Sequence, residues 1–309
     1  MTETELPLAG RVVLITGSGR GLGREHALAW SALGAKVVVN DYGGSRDGVG
    51  LSSAPAEAVV EEIRTAGGEA VAHFGNVTDP DAAAAMVALA VERFGALHAL
   101  INNAGILRDK SLLNMTIDEW DQVVDVHLKG TFVMTQAAGR YWRDQAKTGE
   151  AIAASVVNTS SGSGLYGNFG QANYSSAKGG IASLTALTAI ELARYGVTAN
   201  AIAPVARTRM LSEDPEALRL QEGFDPMAPA NVSPLVTWLV SENARDVTGR
   251  IFSMVGGYVA VVEGYNEGPA MQLDRKLTFA DIDAELPAVI AKARPRTNVY
   301  ESNPYIGKA

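Results

Sequence analysis

The sequence predicts an α/β fold: a doubly wound, mainly parallel sheet with helices on both faces. Three observations lead there. Short β-branched runs alternate with longer Ala-rich or amphipathic segments through the first two-thirds of the 309 residues, which is the pattern of β-α-β units. A glycine-rich turn follows the first run and opens a helical segment. Gly34, Gly67, Gly95 and Gly196 each follow such a segment, where C-terminal stop signals belong.

Taken in order, seven runs read as strands. They are "VVLIT" (12 to 16), "KVVVN" (36 to 40), "EAVAHF" (69 to 74), "ALIN" (99 to 102), "SVVNTS" (155 to 160), "VTANAIA" (197 to 203) and "IFSMV" (251 to 255). Helical stretches lie between them, including Pro55 to Ala66, Asp79 to Phe94 and a long one from about Asp118 to Thr148, which Thr116 or Asp118 is placed to cap. No repeat or low-complexity linker breaks the alternation before about residue 263. The reading divides the chain into a body, 1–263, and a C-terminal extension, 264–309. The extension is expected to hold no strand, one helical candidate "LTFADIDAELPAVIAKA" and a tail with Pro295 and Pro304, packed on the body or on a neighbouring subunit.

Composition narrows the function. With 47% hydrophobic and 6% aromatic residues, the core is built mainly from Ala, Val, Leu and Gly. A net charge of -8 repels nucleic acid and anionic membrane surfaces on average, so neither is expected as a partner. The absence of cysteine excludes disulfides, thiolate zinc sites and cysteine nucleophiles, and no metal is expected. The acidic opening "MTETELPLAGR" and the short apolar run after it are read as leading into a strand, not as a signal peptide. No apolar run is long enough to suggest a membrane span.

The first strand is followed by "TGSGRGLGREHALAW", with Gly17, Gly21 and Gly23 in a T-G-x-x-x-G-x-G arrangement. Such a loop sets bare backbone N–H groups and a helix N-terminus against a pyrophosphate. Asp41, at the end of the second strand, is placed to accept hydrogen bonds from both adenosine ribose hydroxyls and to repel a 2′-phosphate, which favours NAD over NADP. Two alternatives stand beside this. Asp41 is also suited to a turn ahead of Gly43 and Gly44, and Arg20 or Arg46 has the reach for a 2′-phosphate.

In "QANYSSAKGG", residues 171 to 180, Tyr174 and Lys178 share one helix face. A tyrosine is a poor base at neutral pH, and a nearby ammonium is expected to lower its pKa and make it a proton shuttle. The same spacing also fits an ordinary solvated helix face. Ser161, at the end of the fifth strand, is placed to hold a substrate oxygen beside the phenol. Ligands bind at the carboxyl ends of an open parallel sheet, where both groups would lie.

From about residue 8 to 262 the chain resembles the short-chain dehydrogenase/reductase family. The resemblance rests on "TGSGRGLG", "NNAG" (102 to 105), "VHLKG" (126 to 130), "NTSS" ending at Ser161, "YSSAK" and "NAIAP" (200 to 204), in family order. It implies a Rossmann-type doubly wound sheet of seven mainly parallel strands, with the body as the NAD-binding and catalytic domain. It implies that Tyr174 is the acid/base, that Lys178 also binds the nicotinamide ribose, and that Ser161 orients the substrate. Gly17, Arg20, Gly21, Leu22, Gly23, Asp41, Asn76, Val77, Asn103, Ala104, Gly105 and Pro204 would line the cofactor. A homodimer or homotetramer, formed through the long helix before Ser161 and the helix bearing Tyr174, is also implied.

Two positions depart from the family pattern. His127 stands in "VHLKG" where an asparagine is usual, and either serves a proton relay through its carbonyl or imidazole or is a packed helix histidine. Val205 replaces the usual glycine after Pro204, so "PVARTRM" is expected to approach the nicotinamide differently. Within the family, "VVVNDYGGS", the insertion after it, and "GQANYSSAKGGIASLT" look like the dehydrogenase unit of peroxisomal multifunctional enzyme type 2, a (3R)-hydroxyacyl-CoA dehydrogenase also described as a 17-beta-hydroxysteroid dehydrogenase. The expected activity is therefore NAD-dependent interconversion of a secondary alcohol and a ketone, on a 3-hydroxyacyl-CoA or a hydroxysteroid. An NADP-dependent 3-ketoacyl reductase and a non-catalytic NAD-binding protein are the alternatives. The final "IGKA" is not read as a peroxisomal address, and a free-standing cytoplasmic enzyme is expected. The substrate loop is placed at Arg207 to Ala230, where Arg207, Arg209 and Arg219 would offer charge to a CoA phosphate beside Met210, Leu211, Leu218 and Leu220; an amphipathic surface helix is the plainer reading.

Overall fold

A computed structural model describes residues 6–301 apart from 151, 212, 213, 215, 217, 265, 296, 298 and 300. The readings made on the first five residues, on Pro304 and on "IGKA" fall outside the described residues. The body is one sheet with strand order β3-β2-β1-β4-β5-β6-β7-β8. The first seven strands, β1 (Val12–Thr16), β2 (Lys36–Asn40), β3 (Ala70–His73), β4 (Ala99–Asn102), β5 (Ala154–Thr159), β6 (Val197–Pro204) and β7 (Ile251–Val255), pair in parallel.

The expected count of seven strands is corrected to eight. β8 (Tyr258–Val262) pairs antiparallel with β7, with Val255 opposite Tyr258 across the two glycines 256 and 257. This is a two-residue hairpin, for which Gly-Gly flanked by apolar runs is a strong local signal. β8 closes the edge of the sheet, and its exposed Val259 and Val261 alternate with partly buried neighbours.

The parallel strands are buried on both faces, and the period of two sorts their side chains. Val13, Ile15, Val37, Val39 and Ile101 pack on one side with Trp30, Ile63 and Leu239, from α1 (Gly21–Ala32), α2 (Ala54–Thr65) and α8 (Ser233–Val240). Val12, Leu14, Val38 and Leu100 pack on the other side with Met86, Met134 and Trp142, from α3 (Pro80–Phe94) and α5 (Gly130–Lys147). Helix ends follow local chemistry. Asp79 accepts from the N–H of Asp81 at 2.9 Å to start α3. Thr116 and Glu119 form a reciprocal capping box on α4 (Ile117–Val124).

The long helix expected from Asp118 to Thr148 is interrupted. Between α4 and α5, residues Asp125–Lys129 form a π-helical turn that contains His127. Such a turn shifts the backbone hydrogen-bond register and occurs frequently at functional sites. β5 leads through the short α6 (Gly162–Tyr166) to α7 (Ala172–Leu192). In the extension, α9 (Phe279–Ala291) is capped by Thr278 and buries none of its residues against the body.

Because β1 lies between β2 and β4, the chain winds away from β1 in both directions, and a crevice opens at the carboxyl ends of these strands.

Candidate active site

The crevice is a cavity of about 730 Å³ lined by the loops after β1, β2, β4, β5 and β6. At one end is the glycine loop. Gly17 has φ +62, and a Cβ there would lie 2.7 Å from the Cα of Ala104, so the loop after β4 packs directly on bare backbone. Thr16 and Asn103 tie the two loops together. The Asn103 N–H donates to Thr16 Oγ1 at 3.0 Å, and its amide donates to the carbonyls of Thr16 at 3.1 Å and Gly17 at 2.9 Å. Asn103 therefore shapes the wall with its side chain committed elsewhere. Gly23 does not line the cleft: it lets α1 approach the Gly17 carbonyl, 2.4 Å from where a Cβ would sit.

Asp41 is buried, and both of its oxygens accept backbone N–H groups, Oδ2 from Gly19 at 2.8 Å and Oδ1 from Gly43 at 2.7 Å. The turn reading holds: the carboxylate is fixed by the turn, and with one N–H on each oxygen it retains lone pairs at a residue that lines the cleft. Arg20 and Arg209 both donate to the carbonyl of Gly44, at 3.3 and 3.1 Å. Gly21, Leu22, Asn76, Val77, Ala104, Gly105 and Pro204 line the same cavity, and Arg46 does not. Asn76 accepts from both the N–H and the hydroxyl of Thr78 at 3.0 Å, which fixes the turn before α3.

At the other end, Tyr174 and Lys178 project from the first turns of α7 toward the end of β5. Ser161, the residue preceding α6, accepts from the N–H of Ser163 at 3.2 Å and lines the cavity together with Tyr174. Lys178 is 3% exposed; its Nζ donates to the carbonyl of Thr159 and lies 5.6 Å from the centre of the Tyr174 ring. Burial pushes the ammonium down to about 7. The expected lowering of the tyrosine by the lysine is corrected here. Burial raises the Tyr174 phenol above its ordinary value, the nearby Ser161 hydroxyl opposes that, and the Asp109 carboxylate adds to it.

His127 is buried with its ring edge-on to Tyr174, centroids 5.1 Å apart. Its Nε2 lies 2.8 Å from the carbonyl oxygen and 3.1 Å from the N–H of Ile106, while Nδ1 has no hydrogen-bond partner. Burial, with the Lys178 charge adding to it, holds the imidazole well below its ordinary pKa and so neutral. The ring braces the segment after "NNAG", and Gly105 makes room for it: a Cβ there would fall 2.3 Å from His127 Cε1.

The loop after β6 differs from its reading in two ways. No helix forms among its described residues before the single turn at Pro229–Val232. Arg207, expected to face a phosphate, is instead a partly buried partner of the buried Asp225, and its backbone N–H donates to the carbonyl of Met227 at 2.6 Å. Asp225 also accepts from the N–H groups of Gln221 at 3.1 Å and Met227 at 2.9 Å. Arg219 is exposed and pairs with Glu216 at 3.5 Å. Met210 and Leu211 line the cavity, whereas Leu218 and Leu220 do not.

Several cavity residues were not singled out from the sequence: Thr208, Asn168, Gln171, Met227 and Val299. Thr208 lies over Gly21, its Cγ2 3.5 Å from where a Cβ would be, so the substrate loop touches the glycine loop. Its signal was its place right after the β6 segment. Val299 comes from the extension and approaches Gly162, a contact with no local sequence signature. Among the described residues there is no cluster of metal ligands and no helix long and apolar enough to cross a membrane.

The arrangement fits a nicotinamide dinucleotide: a bare-backbone cradle at a helix N-terminus, a fixed carboxylate just past the end of β2 and a buried cation beside a phenol. Comparison with known proteins points the same way. Residues 11–218 match the family model described as short chain dehydrogenase. A short chain dehydrogenase from Mycobacterium avium superposes with a TM-score of 0.85 at 49% identity, covering 95% of this chain and 99% of that one. The hydroxyacyl-CoA dehydrogenase ChsB1 of Mycobacterium tuberculosis is 43% identical over 84% of this chain and 82% of its own length. Peroxisomal multifunctional enzyme type 2 of Drosophila melanogaster is 44% identical over 82% of this chain, which spans only 40% of that larger protein.

Proposed function

The chain belongs to the short-chain dehydrogenase family, and from that premise we propose that it is an NAD-dependent dehydrogenase of 3-hydroxyacyl-CoA thioesters, with hydroxysteroids as the other secondary-alcohol class to be tested. The observation that carries the reading is the grouping of Ser161, Tyr174 and Lys178 in one cavity with the glycine loop and Asp41. Similarity to a hydroxyacyl-CoA dehydrogenase supports the substrate class.

The dinucleotide, held by the Gly17–Leu22 loop, Asp41 and Lys178, would supply the hydride acceptor. Ser161 holds the substrate oxygen by a hydrogen bond, and the Tyr174 phenolate takes the hydroxyl proton as the carbinol C–H bond breaks. Lys178 is the nearby cation, and the carbonyl of Thr159 orients its Nζ. Because burial holds the phenol high, oxidation through a phenolate is favoured by alkaline pH. His127 positions Tyr174 and the chain at Ile106 rather than exchanging protons with substrate. The reading includes a cytoplasmic homodimer or homotetramer; exposed Phe132 on α5 and Leu187 and Ile190 on α7 support an interface on those helices.

One observation favours a second reading, an NADP-linked 3-ketoacyl reductase: Arg20 and Arg209 converge on Gly44 beside Asp41. The test is a panel of 3-hydroxyacyl-CoAs and hydroxysteroids assayed with NAD and with NADP, reading reduced cofactor by absorbance. NAD-linked oxidation of the thioesters, abolished in Tyr174→Phe with NAD affinity kept, is the expected result. Tighter NADP binding by the unmodified protein, with no loss of NAD affinity in Asp41→Ala, overturns the cofactor assignment. Turnover retained in Tyr174→Phe overturns the mechanism.

A further inference from the structure

Behind Tyr174 a chain of polar side chains runs along the cavity wall. Asn168 Nδ2 donates to Gln171 Oε1 at 3.0 Å, and Gln171 Nε2 donates to Asp109 Oδ2 at 3.1 Å. A carboxylate accepts only, so Asp109 fixes which end of the Gln171 amide is nitrogen, and Gln171 in turn fixes Asn168. The backbone holds the same partners in place. The Lys110 N–H donates to the Gly170 carbonyl at 2.8 Å, residues 110 and 171 form a β-bridge, and the buried Asn173 donates to the carbonyls of Arg108 and Glu119 at 3.0 and 2.9 Å.

Asn168 and Gln171 line the cavity together with Ser161 and Tyr174. Gln171 is the residue before α7 and Tyr174 lies in its first turn, so neighbouring positions of one segment present both side chains at the cavity. With one N–H of Gln171 committed to Asp109, its second N–H is left to donate. The field of the exposed Asp109 carboxylate reaches the phenol, which it helps to raise, so the amide is backed by negative charge.

We propose that Gln171, oriented by Asp109, is a specificity-determining residue that donates a hydrogen bond to the neutral carbonyl oxygen of a substrate bearing a second oxygen one carbon beyond the adjacent methylene, and that the acidic backing rejects a carboxylate there. The inference rests on the dehydrogenase reading above and sharpens it: the substrate is a 3-hydroxyacyl thioester and not the free 3-hydroxy acid. Tyr174 and Ser161 engage the hydroxyl oxygen, and Gln171 engages the thioester carbonyl. In the free acid that second oxygen carries the charge that Asp109 repels.

The test compares a 3-hydroxyacyl-CoA, its N-acetylcysteamine thioester and the free 3-hydroxy acid of the same chain length as substrates for the full-length protein with NAD. Both thioesters are expected to be oxidised and the acid to be poorer in kcat/KM by more than about tenfold. The N-acetylcysteamine thioester separates the carbonyl contact from recognition of the CoA nucleotide. Gln171→Leu is expected to lower thioester kcat/KM about tenfold, as loss of one such hydrogen bond does, with NAD affinity and melting temperature kept. Asp109→Asn retains an acceptor for Gln171 and is expected to raise acid turnover relative to thioester. An unmodified protein that uses the acid as well as the thioesters, or a Gln171→Leu variant with unchanged thioester kcat/KM, overturns the assignment while leaving the dehydrogenase reading intact. Oxidation of neither thioester nor acid overturns both.

Discussion

Lys178 lies one helical turn beyond Tyr174 with its Nζ 5.6 Å from the phenol ring centre, yet the ammonium is turned to the carbonyl of Thr159 and does not offset the burial of the phenol. Its folded pKa of about 7, against 10.5 unperturbed, makes it a source of instability. The unfolded chain binds the extra proton between those values, so the penalty is full below pH 7 and fades as pH rises toward 10.5. Lys178→Met is expected to stabilise the cofactor-free protein below pH 7 by up to about 5 kcal/mol, with the gain vanishing near pH 10.5 and turnover lost. Thermal melts across pH decide this; an equal or negative shift at every pH contradicts it.

His26 behaves in the same sense over a different range. It is fully buried in α1, 2.9 Å from the Ser233 hydroxyl of α8, and burial holds it near 4. Its folded pKa is below the unfolded 6.5, so stability falls as pH drops from 6.5 to 4, by about 3 kcal/mol from this group. Denaturant titrations at pH 7 and pH 4.5 should show a smaller acid loss in His26→Met than in the unmodified protein.

Gly105→Ala tests the brace at His127. The new methyl would fall 2.3 Å from the ring, and overpacking of this kind costs about 1–3 kcal/mol. The displaced ring packs edge-on to Tyr174, so kcat is expected to fall more than tenfold while the NAD dissociation constant changes less. Normal kcat in a variant of lowered melting temperature would show that His127 is a packing residue alone.

Arg207→Met leaves Asp225 buried without its cation, a change that costs about 3–5 kcal/mol where the charge has no other support. The N–H groups of Gln221 and Met227 remain, so the lower end is expected, localised to the loop. KM for an acyl-CoA should rise and limited proteolysis between Thr208 and Gln221 should accelerate. The double variant Arg207→Met, Asp225→Leu should regain protease resistance; if it does not, the pair is not what closes the loop.

Much of this was legible in the sequence because it is local. The seven parallel strands announce themselves by β-branched runs, and the caps at Asp79 and Thr116 by residue type and position. Ser161, Tyr174 and Lys178 come together because parallel strands bring their carboxyl ends to one crevice. β8 was legible too, as "VGGYVAVV", but an antiparallel return falls outside the β-α-β alternation by which the other strands are read. The rest depends on partners far apart in the chain. The Arg207–Asp225 pair, the Asp109–Gln171 contact and the approach of Val299 to Gly162 carry no periodicity. The sign of the Tyr174 shift depends on burial, which spacing on a helix does not report.

Because Arg207 and Asp225 join across a separation of 18 residues, their contact closes the chain between them into a ring. The loss of chain entropy on closure belongs to the native state, and Met210 and Leu211, which line the cavity, lie within that ring. Affinity then depends less on ordering the chain and more on the contacts themselves. On the proposed reading, changes in length or composition within the ring should retune which substrates bind while leaving the proton-transfer geometry at Tyr174 undisturbed.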